Sequence, residues 1–544
     1  MTPDIAYGSL APLLVVFGAG IISVLVEAFV PARYRYGTQM VVYLGGLAAA
    51  LVSVVLLAGT RIVTAEGSVA VDGPALFLQG VTVIVAIGAG LLIGERTVIP
   101  SASRRKVLAG FAPQAAVAPG GSGERDAERA GFTQTEVFPL ALFATGGLLL
   151  FPAANDLITL FIALEVLSLP LYVLCGMARR RRLLSQEAAV KYFLLGAFSS
   201  AFFVYGIALV YGYAGTVDFR GIDRAVAADG RSSLILIGIA MMSVGLLFKV
   251  GAVPFHTWTP DVYQGAPTSI TAFMAAGTKV AAFGAILRFF YTAVPGLEAE
   301  WVPVLWVIAA LTMIVGTVVG VAQNDVKRML AYSSVAHAGF LLTGMMGSPT
   351  AGLTAMLFYL AAYAVSTVGV FAVAGLVRDA DGAEISDLRA WSGLGRRQPL
   401  VAGAFAVLLL ALAGIPLTSG FIVKFAVFSA AVAGGAVALV LIGVLTSAIA
   451  ASFYVRVIVV MFFRDADAGG SSVGGSGVGG SGSGGAGSGG SGSGGADAGG
   501  SAVAFARQPV TLAVVGVAAV VTVVLGIAPQ PLLDLAEAAS TFAW

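Results

Sequence analysis

Runs of eighteen or more apolar residues recur along almost the whole chain, and each is long enough to cross about 30 Å of hydrocarbon as a helix. No compact water-soluble core buries so many. Only 11% of the 544 residues are charged, against roughly 25% in soluble domains. The expected fold class is an all-α polytopic membrane protein with about 14 transmembrane helices.

Two apolar stretches, 233–265 and 400–433, are too long for a single crossing. As one helix, 33 residues would reach about 50 Å. Each carries a breaker near its middle, Gly251-Ala252-Val253-Pro254 in one and Ala413-Gly414-Ile415-Pro416 in the other. Both therefore read as discontinuous helices, a device that brings backbone polar groups together at membrane depth. The two breaks resemble one another, and Asn155-Asp156 is echoed by Asn324-Asp325. The offsets, 162 residues between the prolines and 169 between the asparagines, suggest two five-helix units at 136–291 and 302–463. Three helices in 1–95 and a loop at 96–135 come before them. A Gly/Ser/Ala linker at 468–501 and one helix at 508–528 come after. The linker contains GxGxxG-like strings through composition alone; none follows a strand, so none signals a dinucleotide.

Loops after odd-numbered spans hold 20 of the 30 basic residues, including Arg104-Arg105-Lys106 and Arg179 to Arg182. Even-numbered loops hold Arg61, Arg220, Arg224 and Arg231. The positive-inside rule then puts the odd loops in the cytoplasm and both termini on the outer side. Arginine runs lying directly against spans give no reason to expect nucleic acid. The opening MTPDIAYGSL lacks a basic leader segment, so the first helix is expected to be retained. A single cysteine, Cys175, excludes disulfides within the chain and iron–sulfur ligation by it, and two histidines argue against bis-histidine haem.

The informative residues are the ionisable ones inside the apolar runs. Lys249, Lys279 and Lys424 fall well within spans, and Glu165 and His337 are central in theirs. Lys191, Arg288 and Arg456 lie nearer span ends, where snorkelling to the interface is the ordinary account. A charge at the bilayer centre costs roughly 2.5–3.5 kcal/mol, so three lysines and a glutamate cost on the order of 10 kcal/mol if left unpaired. One buried ion pair stapling helices together accounts for two of these groups and leaves lysines over. Burial and a nearby carboxylate act on a lysine's proton affinity in opposite directions. A lysine held between them exchanges its proton when a neighbouring charge moves. His337 reads either as a packing residue or as a relay between lysines. His256 lies seven residues past Lys249, but Pro254 interrupts the helical spacing between them.

The segments LLFKVGAVPFHTWTPDVYQGAPTSITAFMAAGTKVAAF, NDLITLFIALEVLSLPLYVLCG, QEAAVKYFLLGAFSSAFFVYG, NDVKRMLAYSSVAHAGFLL and GIPLTSGFIVKF resemble the antiporter-like membrane subunits of respiratory complex I, most closely the subunit N type. The resemblance covers most of residues 136–463. It implies fourteen helices with two inverted five-helix repeats, each with a broken helix, in a bacterial cell membrane. It implies proton translocation through Glu165 and Lys249 in a first half-channel, Lys279 as the connecting residue and Lys424 in a second, with His337 and Lys191 as further members. It also implies no cofactor in this chain, with NADH, flavin, iron–sulfur clusters and quinone handled by partner subunits. The linker at 468–501 and an insertion near 113–131 depart from the family pattern. A subunit of a multi-subunit cation/proton antiporter, which shares the helices and lysines, is the alternative.

Overall fold

A computed structural model of the chain describes residues 5–100, 105–108, 111, 122, 134–178, 182–379, 382–464 and 503–543. The linker at 468–501, most of the 96–135 loop including its 113–131 insertion apart from residue 122, Arg104 and Arg179 to Arg181 lie outside the described residues. Among the described residues the architecture is almost wholly helical. Twelve helices are long and apolar enough to cross a membrane, and three apolar segments, Val137–Ala153, Pro399–Ala413 and Ser419–Ala433, are shorter.

The N-terminal helices are α1 (Ala11–Phe29), α2 (Ala32–Leu56) and α3 (Gly73–Gly94). Pro31, which stands between α1 and α2, ends one and caps the next. A hairpin of β1 (Ile62–Thr64) and β2 (Val69–Val71) joins α2 to α3, with Ile62 opposite Val71 and Thr64 opposite Val69. Then follow α4 (Val137–Leu150), α5 (Leu157–Cys175), α6 (Arg182–Ala214), the short α7 (Phe219–Asp229), α8 (Ser233–Val250), α9 (Trp258–Gly265) and α10 (Thr268–Arg288). The second half runs through α11 (Glu298–Val321), α12 (Val326–Thr343), α13 (Pro349–Leu376), the single turn α14 (Leu394–Arg397), α15 (Pro399–Ala413), α16 (Ser419–Ala433) and α17 (Val437–Phe463). The chain closes with α18 (Pro509–Ile527) and α19 (Gln530–Ala538).

The long segments 233–265 and 400–433 are interrupted where their prolines predict, giving α8/α9 and α15/α16. Both first halves end on a left-handed glycine, Gly251 at φ 73° and Gly414 at φ 84°, a conformation in which a side chain is strained.

Side-chain caps fix several helix starts. Asp156 accepts from the backbone N–H groups of Ile158 and Thr159, each at 2.8 Å, and Asp325 from that of Arg328 at 2.9 Å. Satisfying orphan N–H groups in this way is what the Asn-Asp pairs contribute to the fold. Each pair also makes a short backbone bridge, Asp156 with Asp218 and Asp325 with Asp387.

Helices α10, α12 and α13 are the innermost and almost wholly buried. The outer helices expose large apolar side chains such as Leu56, Phe198 and Leu445, as a surface facing lipid or apolar neighbours does. Helices α11 and α12 approach closely through Gly316 and Gly339; a Cβ on Gly316 would lie 2.5 Å from the backbone nitrogen of Ala336. Small residues at such crossings let backbones meet in an apolar solvent.

Candidate functional site

Lys249 occupies the last turn of α8 and is 3% exposed. Its Nζ lies 3.4 Å from the hydroxyl of Tyr192 and over the faces of Tyr192 and Tyr172, at 5.2 and 5.7 Å from the ring centroids. Among the described residues no carboxylate comes within 4 Å of it. The C-terminal end of a helix carries partial negative charge, and an ammonium there is favoured even without a carboxylate; the two aromatic faces add cation–π attraction. Trp258 of α9 stacks on Tyr192 and donates its indole N–H to the carbonyl of Phe248 at 2.9 Å, which takes up one backbone group freed by the break.

Glu165 does not touch Lys249. Half-buried on α5, its Oε1 accepts from the Ser200 hydroxyl at 2.5 Å. A ladder on facing sides of α5 and α6 joins the two ionisable groups. Tyr172, seven residues after Glu165, packs on Gly196 and edge-on against Tyr192, while Tyr192, Gly196 and Ser200 recur every four residues along α6. The seven residues from Glu165 to Tyr172 rise about 10 Å along α5.

Lys279 lies mid-helix in α10, 2% exposed. It donates to the backbone carbonyl of Ser334 on α12 and sits 5.5 Å from the Tyr363 ring centroid. Tyr363 in turn donates to the Ser334 hydroxyl at 2.9 Å. One helical turn farther along α12, His337 has a tyrosine at each ring nitrogen: Tyr359 2.7 Å from Nδ1 and Tyr454 3.5 Å from Nε2. Each ring nitrogen therefore faces a hydroxyl, a group that donates or accepts. A hydrogen-bonded packing residue makes these two contacts as readily as a relay does.

Lys424 projects from α16 and donates to the carbonyls of Leu412 and Ala413, at 3.0 and 2.8 Å, and to the Ser447 hydroxyl at 2.8 Å. Its ammonium thus satisfies the carbonyls that the second break frees at the end of α15. It also lies 4.8 Å from the ring centroid of Phe340, whose edge meets His337. Between His337, Tyr359, Tyr363 and the break residues Leu412 and Ser419 is a cavity of about 10 Å³, on the order of one water.

The structure therefore gathers the expected residues into two groups. Glu165 and Lys249 share the α5–α6–α8 ladder, and Lys279, His337 and Lys424 share the core between α10, α12 and α16. Lys191 belongs to neither. It is half exposed and paired at 2.7 Å with both Glu187 and Asp261; Asp261 also pairs with Arg328 at 2.7 Å. Arg288 differs from its sequence reading, because it does not snorkel. Fully buried, it forms a two-pronged pair with Asp72 at 2.9 and 2.6 Å and donates to the carbonyl of Pro152. Arg456 lies nearer a span end and binds the carbonyls of Val321, the last residue of α11, and of Gln323 beyond it. Lys327 is buried in the first turn of α12 and donates to the carbonyl of Ala266 at 2.8 Å. The tyrosines and serines around each lysine went unnoticed in the sequence, since a hydroxyl among apolar residues gives no pattern. Among the described residues, no group of three or more His, Cys, Asp or Glu is placed to hold a metal ion.

Residues 154–450 match the family described as NADH:quinone oxidoreductase/Mrp antiporter, TM. NADH-quinone oxidoreductase subunit N of Rhodococcus opacus (strain B4) is 58% identical over 554 residues, covering 99% of this chain and 97% of the relative. A chain of respiratory complex I from Thermus thermophilus with bound aureothin superimposes with a TM-score of 0.73 at 30% identity, over 97% of this chain and 99% of that one. A chain of the Mrp complex from Dietzia sp. DQ12-45-1b gives 0.75 at 22% identity, over 98% and 97%, a likeness of fold alone. With identity this high over nearly the full length, the chain belongs to the NADH-quinone oxidoreductase subunit N family.

Proposed function

We propose that this chain is the proton-translocating subunit N of a bacterial NADH:quinone oxidoreductase, working in the plasma membrane beside other membrane subunits of that complex. Glu165, Lys249, Lys279, His337 and Lys424 carry protons, while NADH, flavin, iron–sulfur clusters and quinone belong to partner subunits. One observation carries the assignment of these residues. The three buried lysines bind hydroxyls, carbonyls and aromatic faces, with no carboxylate within 4 Å among the described residues. Such neighbours solvate an ammonium without fixing it in an ion pair, so each lysine is left free to exchange its proton.

Magnitudes permit the work. Moving one charge against 100 mV costs about 2.3 kcal/mol, and a change of two units in proton affinity supplies about 2.7 kcal/mol. When the charge on Glu165, at the other end of the tyrosine ladder, shifts, the Lys249 ammonium releases a proton and becomes the amine. Lys279 takes that proton up, and the His337–Lys424 end passes one on. Lys191, with its two carboxylates, serves the mouth of the path and not its interior.

We read fourteen crossings: the twelve long helices, Val137–Ala153, and the α15/α16 pair counted as one. The five-helix units at 136–291 and 302–463 form an inverted repeat. Asp156 and Asp218 bridge in the first, Asp325 and Asp387 in the second, each 169 residues on. Five crossings separate equivalent points, and an odd number returns the chain to the opposite face. Both termini face outward, and the linker at 468–501 belongs to a cytoplasmic loop.

Lys279→Met and Lys424→Met in the assembled complex test the assignment. Proton pumping in sealed vesicles falls, while NADH oxidation by a soluble acceptor is unchanged. Normal assembly and pumping would leave only a structural role for these lysines. Co-purification with flavin and iron–sulfur subunits separates this reading from a cation/proton antiporter.

A further inference from the structure

A groove of about 480 Å³ runs between α2, α3 and α19, and none of the three buried lysines lines it. Its walls are apolar: Val54 and Val55 from α2, Leu76 and Ile84 from α3, and Leu535 from α19. Val55, Ile84 and Leu535 are 66%, 51% and 56% exposed, so the groove opens to the surroundings of the bundle. Helix α19 closes one side by direct backbone approach; a Cβ on Gly73 would fall 2.4 Å from the carbonyl oxygen of Ala539. At one end stands Arg61, exposed, with no hydrogen bond or ion pair to any described residue. The two acids of α19 are Asp534, which takes a hydrogen bond from Gln530 at 2.6 Å, and Glu537, and neither lines the groove.

The depth of the groove decides what fits. From Gly73, near the arginine end, to Ile84 is eleven residues, or about 16 Å of helix. One leaflet of a hydrocarbon core about 30 Å thick is about 15 Å deep. The groove thus has the length of one leaflet, with apolar walls inward and a guanidinium at the height of the headgroups. A guanidinium matches phosphate oxygens in two-pronged geometry. In a zwitterionic headgroup the ammonium already neutralises that phosphate, whereas an anionic headgroup leaves its charge for the arginine. We infer that this groove is a binding site for one anionic phospholipid, with an acyl chain between α2, α3 and α19 and the phosphate on Arg61.

Gly80 lines the floor, and a Cβ there would meet only Val54 Cγ1, at 3.6 Å. Gly80→Phe therefore fills the groove without a backbone clash, and Arg61→Gln removes the charge alone. The assembled complex is reconstituted in phosphatidylcholine vesicles containing phosphatidylglycerol with a diazirine in its acyl chain, then illuminated and digested. Labels are expected on peptides of α3 and α19. They should fall roughly fivefold in Arg61→Gln, the factor one basic residue contributes near a charged surface, and disappear in Gly80→Phe, with labelling elsewhere on the chain unchanged. A phosphatidylcholine probe of the same design should label these peptides more weakly and without dependence on Arg61. Equal labelling by both probes, unaffected by Arg61→Gln, would overturn headgroup recognition. Absence of label, with these peptides cross-linking to a neighbouring subunit instead, would overturn the lipid and make the groove a protein contact.

Discussion

Lys424 places its ammonium 2.8 Å from the carbonyl oxygen of Ala413, so a side chain from the second half of a broken helix closes the open end of the first. Gly414 is the hinge of this contact. A Cβ there would lie 2.9 Å from Lys424 Cδ and 3.1 Å from Nζ, on a backbone at φ 84°. Gly414→Ala therefore costs about 1–2 kcal/mol in the left-handed region and pushes the ammonium off its carbonyls. The expected outcome is an assembled complex whose proton pumping per NADH oxidised is about tenfold lower, since 1.4 kcal/mol is a factor of ten. Pumping at the wild-type ratio would show that the carbonyl contact has no part in transfer.

The Glu165 carboxylate takes its hydrogen bond from Ser200. A hydrogen bond to a charged group contributes about 1.5–3 kcal/mol. Ser200→Ala should slow quinone-coupled proton pumping by roughly tenfold or more, with Ser200→Thr recovering most of the rate because the hydroxyl returns. Measured in the same vesicles, equal rates for the alanine and threonine variants would remove Ser200 from the path.

His337 joins Lys279 to Lys424 only if both of its nitrogens keep polar partners. Tyr359→Phe deletes the nearer one, 2.7 Å from Nδ1, at nearly constant volume. The ring then has Tyr454 alone, at 3.5 Å, beyond the usual length of a good hydrogen bond. Coupled pumping should drop several-fold, while the thermal midpoint of the complex moves little, because one neutral hydrogen bond contributes only about 1 kcal/mol. A pumping rate equal to wild type would return His337 to a packing role.

Helix existence was legible wherever apolar runs were long, and the two breaks were legible from Pro254 and Pro416. The Asn-Asp pairs showed as a repeat before their capping role was visible. Other elements gave no such signal. Helix α7 alternates Phe219, Ile222 and Val226 with Arg220, Asp223 and Arg224, and eleven residues of that mixture read as a charged loop. Helix α19 and the β1–β2 hairpin are likewise too short to stand out from connecting segments. The resemblance made Lys191 a further member of the path, while its place near a span end, with Glu187 one turn earlier, already offered the partner it takes. Least legible were contacts across long separations. Arg288 finds Asp72 216 residues away, and neither helix alone hints at the other.

That pair gives the sharpest stability prediction. Arg288 and Asp72 are both 0% exposed, and Asp72 also caps α3 through Ala75 and accepts from the backbone of Ala543. Removing one partner of a buried pair strands a charge and costs about 3–5 kcal/mol, whereas removing both charges is often close to neutral. Arg288→Met and Asp72→Asn should each sharply lower the amount of assembled complex and its melting temperature. The double variant, in which asparagine keeps the cap and no buried charge remains, should recover most of the loss. The readout is non-additivity in a double-mutant cycle followed by thermal melting of the solubilised complex. Were the double variant as unstable as the two single losses combined, the pair would not be the link between α3 and α10 that its geometry indicates.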